Sequence, residues 1–320
     1  MTVATIPDAR KARPFVAPNV HHTPLLSSRL LSEETRYEVR LKAELFQRTG
    51  SYKIRGPLYK LQRLSEEERE RGVICSSAGN HAQGVALAAA MMGVRAVVVM
   101  AENATPSKVA ATKGYGAEVV QHGTIWDEAD EKARELVESE GLTYVHPFDD
   151  VDLISGQGTL GLEIYEDWPQ VELVVVPIGG GGLISGVATA LKQANASIRI
   201  VGVESAGAPA MKLSVEQGSL VSLDYVDTVV DGLRVKRVGE RTFELVQRYV
   251  DEIVTVPDES IFRNVVWLME RAKLVAEGAA AATVAALRDG VVTAPPGTRV
   301  ACVLSGGNVD LSQLDGVSWN

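Results

Sequence analysis

Short apolar runs alternate with longer stretches of helical periodicity over most of the chain. Seven of these runs are predicted strands: residues 73–76, 94–100, 117–121, 171–177, 198–204, 252–256 and 299–304. Several of them are almost entirely apolar, which is typical of parallel strands that are covered on both faces. Five stretches between them are predicted helices: residues 82–92, 126–140, 183–193, 259–274 and 277–288. Strands that alternate with helices predict an α/β fold with mainly parallel sheets.

The 320-residue chain has the length of one large domain or two intertwined ones. Its residues are 46% hydrophobic and 23% charged, which excludes a disordered chain or a fibre. No apolar run is long enough for a membrane span, and the N-terminus lacks the apolar core of a secretion signal. The net charge of -9 provides no basic face for nucleic acid. Cys75 and Cys302 are too few for a disulfide scaffold and lie in predicted strands, so we expect buried thiols in a cytoplasmic protein.

Polar or glycine-rich segments directly follow three of the predicted strands. They are Ser77-Ala78-Gly79-Asn80-His81, Ile178-Gly179-Gly180-Gly181-Gly182 and Ser305-Gly306-Gly307-Asn308. Open parallel sheets bind their ligands beyond the carboxyl ends of the strands, so these segments are the candidate site. The weakly periodic segment 141–158, which contains Pro147, is interpreted as a crossing point between two sheets.

The four consecutive glycines, Gly179 to Gly182, are the most specific of these segments. A strand, a bare-backbone loop and a helix start direct backbone N–H groups and the helix dipole at one place, which favours a phosphate. A tightly packed turn is the structural alternative. A dinucleotide-binding site is a second alternative, with Glu204 as the acid that binds the ribose. However, the third glycine of a G-x-G-x-x-G motif would fall on Ile184 or Ser185. A Walker A loop is excluded because no Lys-Ser/Thr pair follows Gly186.

Lys53 lies between aromatic and apolar neighbours in Gly50-Ser51-Tyr52-Lys53-Ile54-Arg55-Gly56-Pro57. Burial would favour the neutral amine that a Schiff base requires, whereas the alternative is an ordinary solvated lysine. Arg55 is interpreted as a structural ion-pair partner. A lysine, a phosphate cradle and polar strand ends together predict pyridoxal 5'-phosphate as the cofactor.

These segments resemble the motifs of the pyridoxal-phosphate-dependent threonine/serine dehydratases, which share the fold of tryptophan synthase β. Residues 51–56 resemble the lysine motif, 77–84 the substrate-carboxylate loop, 179–182 the tetraglycine loop and 305–308 the ring-nitrogen motif. Gly156-Gln157-Gly158-Thr159 and Asp231-Gly232 agree as well, and the motifs occur in the family's order from about His22 to Asp310.

The resemblance implies two open α/β domains with mainly parallel sheets and the cofactor in the cleft between them. The large cofactor-binding domain is expected to be discontinuous, with residues 1–64 and 150–320, and the small inserted domain to span residues 65–149. A homo-oligomer, dimer or tetramer, is implied as well. For a chain of this length we expect no regulatory C-terminal domain.

The resemblance also implies a role for each matching residue. Lys53 forms the Schiff base and then acts as base on the substrate Cα–H. Asn80 donates to the ring oxygen, and Ser305 faces the pyridine nitrogen. The amides of Gly179, Gly180, Gly181 and Gly182 hold the phosphate. The substrate carboxylate is bound by Ser77, Gly79, Asn80 and His81, although His81 is alternatively a packed residue at a helix start.

The implied reaction is the β-elimination of L-threonine, with L-serine as a second substrate, to a 2-oxo acid and ammonia. A hydroxyl at Ser305 does not keep the pyridine protonated as a carboxylate would, and early loss of a β-leaving group fits that weaker electron sink. The alternatives are a dehydratase or ammonia-lyase for another β-substituted amino acid, and less favourably a racemase. In racemases that resemble this chain, the corresponding loop reads Ser-Ser-Gly-Asn-His, and Ala78 takes the place of its second serine. We therefore expect no hydroxyl that could reprotonate Cα.

Two further alternatives concern other ligands. A sulfhydrylase is disfavoured because Ile54 follows Lys53, whereas the lysine motif of sulfhydrylases resembles Lys-Asp-Arg. A protein that only binds phosphate ligands without catalysis would keep the glycines but would not need Lys53. Glu204 resembles the first ligand of a metal site found in some members, but the later acidic ligand falls on Ala210. A helix-capping or ion-paired Glu204 is therefore favoured, and a monovalent or divalent cation is left open.

Overall fold

The computed structural model describes residues 6–314, and this part of the chain forms ten strands. The strands are β1 (Leu25–Ser27), β2 (Glu38–Ala43), β3 (Val73–Ser76), β4 (Ala96–Met100), β5 (Glu118–Gln121), β6 (Thr143–Tyr144), β7 (Leu173–Pro177), β8 (Arg199–Ser205), β9 (Glu252–Val256) and β10 (Arg299–Leu304). They are arranged in two separate sheets.

Thirteen α-helices lie between and around these strands within residues 6–314. They are α1 (Ala9–Val16), α2 (Arg29–Thr35), α3 (Arg55–Gln62), α4 (Glu66–Arg71), α5 (Asn80–Met92), α6 (Pro106–Gly114), α7 (Trp126–Glu140), α8 (Val151–Asp167), α9 (Gly182–Ala194), α10 (Ala210–Gln217), α11 (Glu240–Tyr249), α12 (Asp258–Trp267) and α13 (Gly278–Arg288). Among these residues, no helix has the length and apolar character that a membrane span requires.

The strand order confirms the α/β fold with mainly parallel sheets. The large sheet has the order β1-β2-β10-β7-β8-β9, and only β1 runs antiparallel to its neighbour. The small sheet has the order β5-β4-β3-β6, and all its pairs are parallel. Along the chain, the small sheet lies between β2 and β7 of the large one. The boundaries at 64/65 and 149/150 stay a prediction for the domains.

Each central strand is buried on both faces, because successive side chains point to opposite sides of a sheet. In β7, Leu173 and Val175 pack into one hydrophobic cluster, and Val174 and Val176 pack into the other. The small sheet is covered in the same way: in β3, Val73 and Cys75 face one cluster and Ile74 faces another. The nearly continuous apolar runs predicted these strands for this reason.

The sequence patterns missed the edge strands β1 and β6 and the charged strand β2. The sequence of β2, Glu-Val-Arg-Leu-Lys-Ala, alternates charged with apolar residues, and Lys42 is buried there through an ion pair with Glu163 at 2.7 Å. The segment 141–158 contains β6 of the small sheet and the first half of α8. The single helix predicted over 259–274 is α-helical to Trp267 and continues as a wider π-helical turn over Leu268–Ala272.

The Gly-Gln-Gly-Thr motif lies inside α8 and serves close helix packing. A Cβ atom at Gly156 would lie 2.5 Å from Arg55 O, and one at Gly158 would lie 2.8 Å from Gly186 O. The glycines therefore let α8 approach the backbones of α3 and α9, which places the start of α3, directly after Lys53, firmly against α8.

Candidate active site

Three of the sequence motifs meet at one place in the structure. Ser51 and Gly306 form an isolated antiparallel bridge, and the N–H of Tyr52 donates to Ser305 O at 3.1 Å. From the same loop, Asn308 Nδ2 donates to Asn80 Oδ1 at 2.7 Å. The lysine motif, the loop after β3 and the loop after β10 are thus joined by direct hydrogen bonds.

Lys53 lies in a short 3-10 turn, Tyr52–Ile54, that leads directly into α3. Its side chain is half-buried, and Nζ donates to Pro147 O at 2.9 Å. Burial lowers the pKa of Lys53 to about 8, and the charge of Glu277 opposes that effect. An appreciable fraction of the amine is therefore neutral near physiological pH, as a nucleophilic lysine requires.

The four glycines form the turn between β7 and α9. Gly181 has a φ of +93°, and a Cβ atom there would lie 2.6 Å from Met211 Cε and 2.8 Å from Thr242 Cβ. A Cβ atom at Gly180 would overlap the ring of Phe148. The absent side chains therefore serve packing. The turn also ends at the start of α9, where the first N–H groups lack intrahelical partners and suit an anion.

The segment 146–149 connects the lysine to the glycine loop. Pro147 accepts the hydrogen bond from Lys53, and the next residue, Phe148, packs on Gly180. His146 Nδ1 accepts the backbone N–H groups of Phe148 and Asp149 at 3.2 and 2.8 Å, and the rings of His146 and Phe148 meet edge to face. The weak periodicity of this segment in the sequence reflects a tight turn that lines the site.

Ser77, Gly79 and His81 lie where β3 ends and α5 begins. The N–H of Gly79 donates to Ser77 Oγ at 3.2 Å. His81 Nε2 lies 2.9 Å from Val145 O, so it carries the proton, and Nδ1 is left as an acceptor. Burial and the charge of Lys53 lower the pKa of His81 to about 3, so the ring is neutral. An acceptor cannot bind a carboxylate, and a role of His81 there would rest on its backbone N–H in the first turn of α5.

Glu277 is a site residue that the sequence motifs missed. It immediately precedes α13, and both of its carboxylate oxygens contact Asn80 Nδ2, at 3.0 and 2.8 Å. Burial raises the pKa of Glu277, and the hydrogen bond from Asn80 opposes that rise. The sequence carries one usable signal, a glutamate before an alanine-rich helix start, but this is also the pattern of an ordinary helix N-terminus.

Glu204 caps a helix. Its two carboxylate oxygens accept the N–H groups of Met211 and Lys212 in the first turn of α10, both at 2.8 Å. Burial raises the pKa of Glu204 to about 7 against those two hydrogen bonds. Within residues 6–314 no group of three or more His, Cys, Asp or Glu side chains could hold a metal ion. A cation at Glu204 stays a prediction.

Two other groups from the sequence are structural. Arg55 is fully buried and ion-paired with Glu44 at 2.8 Å and Glu163 at 2.6 Å. Cys75 and Cys302 are buried, and burial raises the pKa of both thiols to about 12, so neither is a ready nucleophile.

The residues present fit pyridoxal phosphate. The hydroxyls of Ser51 and Ser305 are buried and have no hydrogen-bond partner within the described chain. Buried hydroxyls are nearly always paired, so these two, next to the turn that carries Lys53, suit a polar ligand. An aldehyde, a phosphate and a pyridine nitrogen match the amine of Lys53, the glycine turn before α9 and the hydroxyl of Ser305 respectively.

Comparisons with known proteins agree with this chemistry. The family model described as pyridoxal-phosphate dependent enzyme matches residues 16–306. The L-threonine ammonia-lyase of Thermotoga maritima is 48% identical over 97% of this chain and 77% of its own length. Maize serine racemase superposes with a TM-score of 0.93 at 35% identity, covering 97% of this chain and 96% of its own. Processed threonine deaminase isoform 2 from Solanum lycopersicum gives 0.90 at 36% identity, with 98% and 94% covered.

Proposed function

Because the chain belongs to the family of pyridoxal-phosphate dependent enzymes, we propose that it catalyses the β-elimination of L-threonine, and of L-serine, to a 2-oxo acid and ammonia. The observation that carries the proposal is Lys53: an amine of lowered pKa, joined through Pro147 and Phe148 to a glycine turn at a helix start. The related ammonia-lyase and deaminase named above support the choice of substrate.

We assign the binding of the cofactor to residues from both sheets. The amides of Gly179 to Gly182 would hold the phosphate at the start of α9, and Ser305 Oγ would meet the pyridine nitrogen. Asn80 would donate to the ring oxygen through its side-chain amide. When bound, the cofactor supplies an electron-withdrawing ring that makes the Cα proton of an amino acid removable.

The protein's own part is to bind, orient and move protons. Ser77, Gly79 and the N–H groups at the start of α5 would hold the substrate carboxylate, which fixes the Cα–H bond relative to the lysine. Lys53 Nζ would take the Cα proton. The β-hydroxyl would leave as water together with the proton that Lys53 took, and the remaining enamine would tautomerise to an imine. Water hydrolyses this imine to the 2-oxo acid and ammonia.

Side-chain selectivity is assigned to Phe148 and Tyr52. Phe148 packs over the glycine turn, and the ring of Tyr52 lies with its centroid 5.3 Å from Lys53 Nζ. Two apolar walls would favour a β-methyl group, and they would also exclude water from the reacting carbon. This supports threonine as the first substrate.

Racemisation is the second candidate function, since maize serine racemase is structurally similar over nearly the whole chain. Ala78, in the loop before α5, offers no hydroxyl for returning a proton to the face opposite Lys53. Elimination is therefore favoured over inversion.

The test is a panel of β-hydroxy and other β-substituted amino acids given to the purified holoenzyme. We expect release of 2-oxo acid and ammonia in equal amounts, fastest with L-threonine, and an absorbance band near the visible edge that borohydride abolishes. Absence of that band would contradict the enzyme assignment and favour a protein that only binds phosphate ligands. A faster reaction with an amino acid that carries another β-substituent would change the assigned substrate.

We also propose a cytoplasmic homo-oligomer, dimer or tetramer. Two free, buried cysteines suit a reducing compartment, and the oligomer rests on the family resemblance alone. Sedimentation of the holoenzyme would give the assembly state.

A further inference from the structure

Glu277 lies at the junction of the segments that form the site. Its backbone N–H donates to Gly306 O at 3.0 Å, and its carboxylate contacts Asn80 Nδ2 through both oxygens. A Cβ atom at Gly306 would lie 2.6 Å from Glu277 Oε1, so the glycine allows the carboxylate to approach this loop. One acidic side chain thereby contacts the loop after β10 and the start of α5.

The contacts of Asn80 determine how its side-chain amide is turned. A carboxylate only accepts, so the amide nitrogen faces Glu277, and the amide oxygen faces Asn308 Nδ2 at 2.7 Å. Asn308 is itself held, because its Nδ2 also donates to Thr49 O at 2.8 Å. The chain of contacts from Thr49 to Glu277 therefore leaves Asn80 one orientation.

One hydrogen of the Asn80 amide remains for a ligand. The two oxygens of a single carboxylate are too close together to receive both divergent N–H groups of an amide nitrogen. Glu277 therefore shares one hydrogen between its oxygens, and the second hydrogen of Asn80 points elsewhere. A ring oxygen of the cofactor is the acceptor assigned to that second hydrogen above.

The negative charge of Glu277 also acts on the amine of Lys53. Burial lowers the pKa of Lys53 to about 8, and the negative charge of Glu277 opposes that effect. His81 faces the same amine but is neutral, because burial and Lys53 lower the pKa of His81 to about 3. Burial and Glu277 raise the pKa of Tyr52, so that phenol is neutral as well.

The charged groups that face Glu277 are few. Besides Lys53 they are Asp231, which raises the pKa of Glu277, and Lys108, which lowers it. Asp231 and Lys108 form an ion pair with each other at 2.8 Å. Lys53 and Lys108 both favour the ionised carboxylate of Glu277, which is the form that accepts the Asn80 N–H.

We propose that Glu277 is a positioning residue that fixes the Asn80 amide with one N–H directed at the cofactor ring. The inference rests on the proposed function only in requiring pyridoxal phosphate at this site. It is independent of which amino acid is converted.

The positioning of Asn80 is tested by the affinity of the apoprotein for pyridoxal phosphate and for its analogue without the ring hydroxyl. Both Glu277→Gln and Glu277→Asp should weaken binding of pyridoxal phosphate by about tenfold, the effect of one misplaced hydrogen bond, and should change binding of the analogue much less. A change in the Lys53 charge affects both ligands alike, so the difference between them reports on Asn80. Equal losses for the two ligands would contradict the positioning role.

Circular dichroism and the thermal midpoint establish that the variants are folded. If Glu277→Gln does not fold, Glu277→Asp still tests the ligand difference, and Gly306→Ala tests it by displacing the carboxylate. Glu259→Gln, at an exposed glutamate in the first turn of α12, is the matched control and should bind both ligands like the wild type. An enzyme that passes this test and releases no 2-oxo acid from any substrate would contradict the proposed function and not this inference.

Discussion

Lys53 and Arg55 are two residues apart, and their surroundings are opposite. Every terminal nitrogen of Arg55 has a side-chain acceptor, with Glu44 on one side and Glu163 and Thr159 on the other. Lys53 has one protein acceptor, Pro147 O, and a lowered pKa. Burial alone would lower the pKa of Arg55 too, but Glu44 and Glu163 more than offset burial and raise it.

The difference separates two uses of a buried cation. The Arg55 cluster, which we define as Arg55, Glu44, Glu163 and Lys42, is a fully paired network that holds the start of α3 against α8 and β2. The Lys53 site is incompletely paired, with the hydroxyls of Ser51 and Ser305 unsatisfied beside it. The paired Arg55 cluster thus serves the fold, whereas the unpaired hydroxyls beside Lys53 suit a ligand.

Alanine at the two positions should separate activity from stability most clearly. Lys53→Ala should lower turnover at least about 10³-fold, because it removes both the covalent anchor and the base, while the apoprotein keeps its thermal midpoint. Turnover and unfolding of the purified variant are the measurements. Wild-type turnover without added amine would remove Lys53 from the mechanism.

Arg55→Ala should show the reverse effect. Without Arg55, the buried carboxylates of Glu44 and Glu163 lose their main partner, and we expect a loss of about 3–5 kcal/mol in the free energy of unfolding. Denaturant titration of the apoproteins measures it, with Lys53→Ala as the matched control. Equal free energies of unfolding for the two variants would contradict the structural role of Arg55.

Gly181→Val tests whether the glycine turn belongs to the ligand or to packing alone. A side chain there meets Met211 and Thr242 first and requires a strained φ, whereas one at Gly180 would overlap Phe148. We expect cofactor to dissociate about tenfold faster during dialysis, with substrate preference unchanged. Altered preference at unchanged retention would place the turn in the substrate pocket.

The pKa of Lys53 makes cofactor capture pH-dependent, whereas Arg55 does not titrate in this range. With a pKa of about 8, the neutral amine increases about tenfold between pH 7 and pH 9, and the rate of cofactor capture by the apoprotein should rise with it. Stopped-flow absorbance at several pH values gives the profile. A flat profile would show that the neutral lysine does not limit capture.

Ala78→Ser is expected to have the smallest effect, and it tests which group can donate a proton on the face opposite Lys53. A hydroxyl in this loop should raise inversion relative to elimination a few-fold, since general acid catalysis becomes available there. Chiral chromatography of the products from L-serine measures the ratio. D-serine formed by the unmodified protein as fast as pyruvate would mean that another group supplies the proton.

The sequence predicted the central strands and most of the chemistry because these depend on local patterns. Strands β3, β9 and β10 were predicted to their exact ends, and α7 was as well, since buried parallel strands and amphipathic helices leave clear periodicity. The same reasoning missed β2, because its alternating charged and apolar residues indicate a half-exposed strand, whereas Lys42 is buried there. Its burial depends on Glu163, which is distant in sequence.

The motifs by themselves determined which chemical groups are present: an amine, a glycine turn at a helix start and a hydroxyl after the last strand. Only the tertiary structure decided how they are paired. It joined Asn308 to Asn80 and Asn80 to Glu277, turned the ring of His81 toward Val145 O, and engaged Glu204 with the start of α10. The physical reason is that hydrogen-bond partners and burial are set by residues far apart in the chain, and no local spacing contains them.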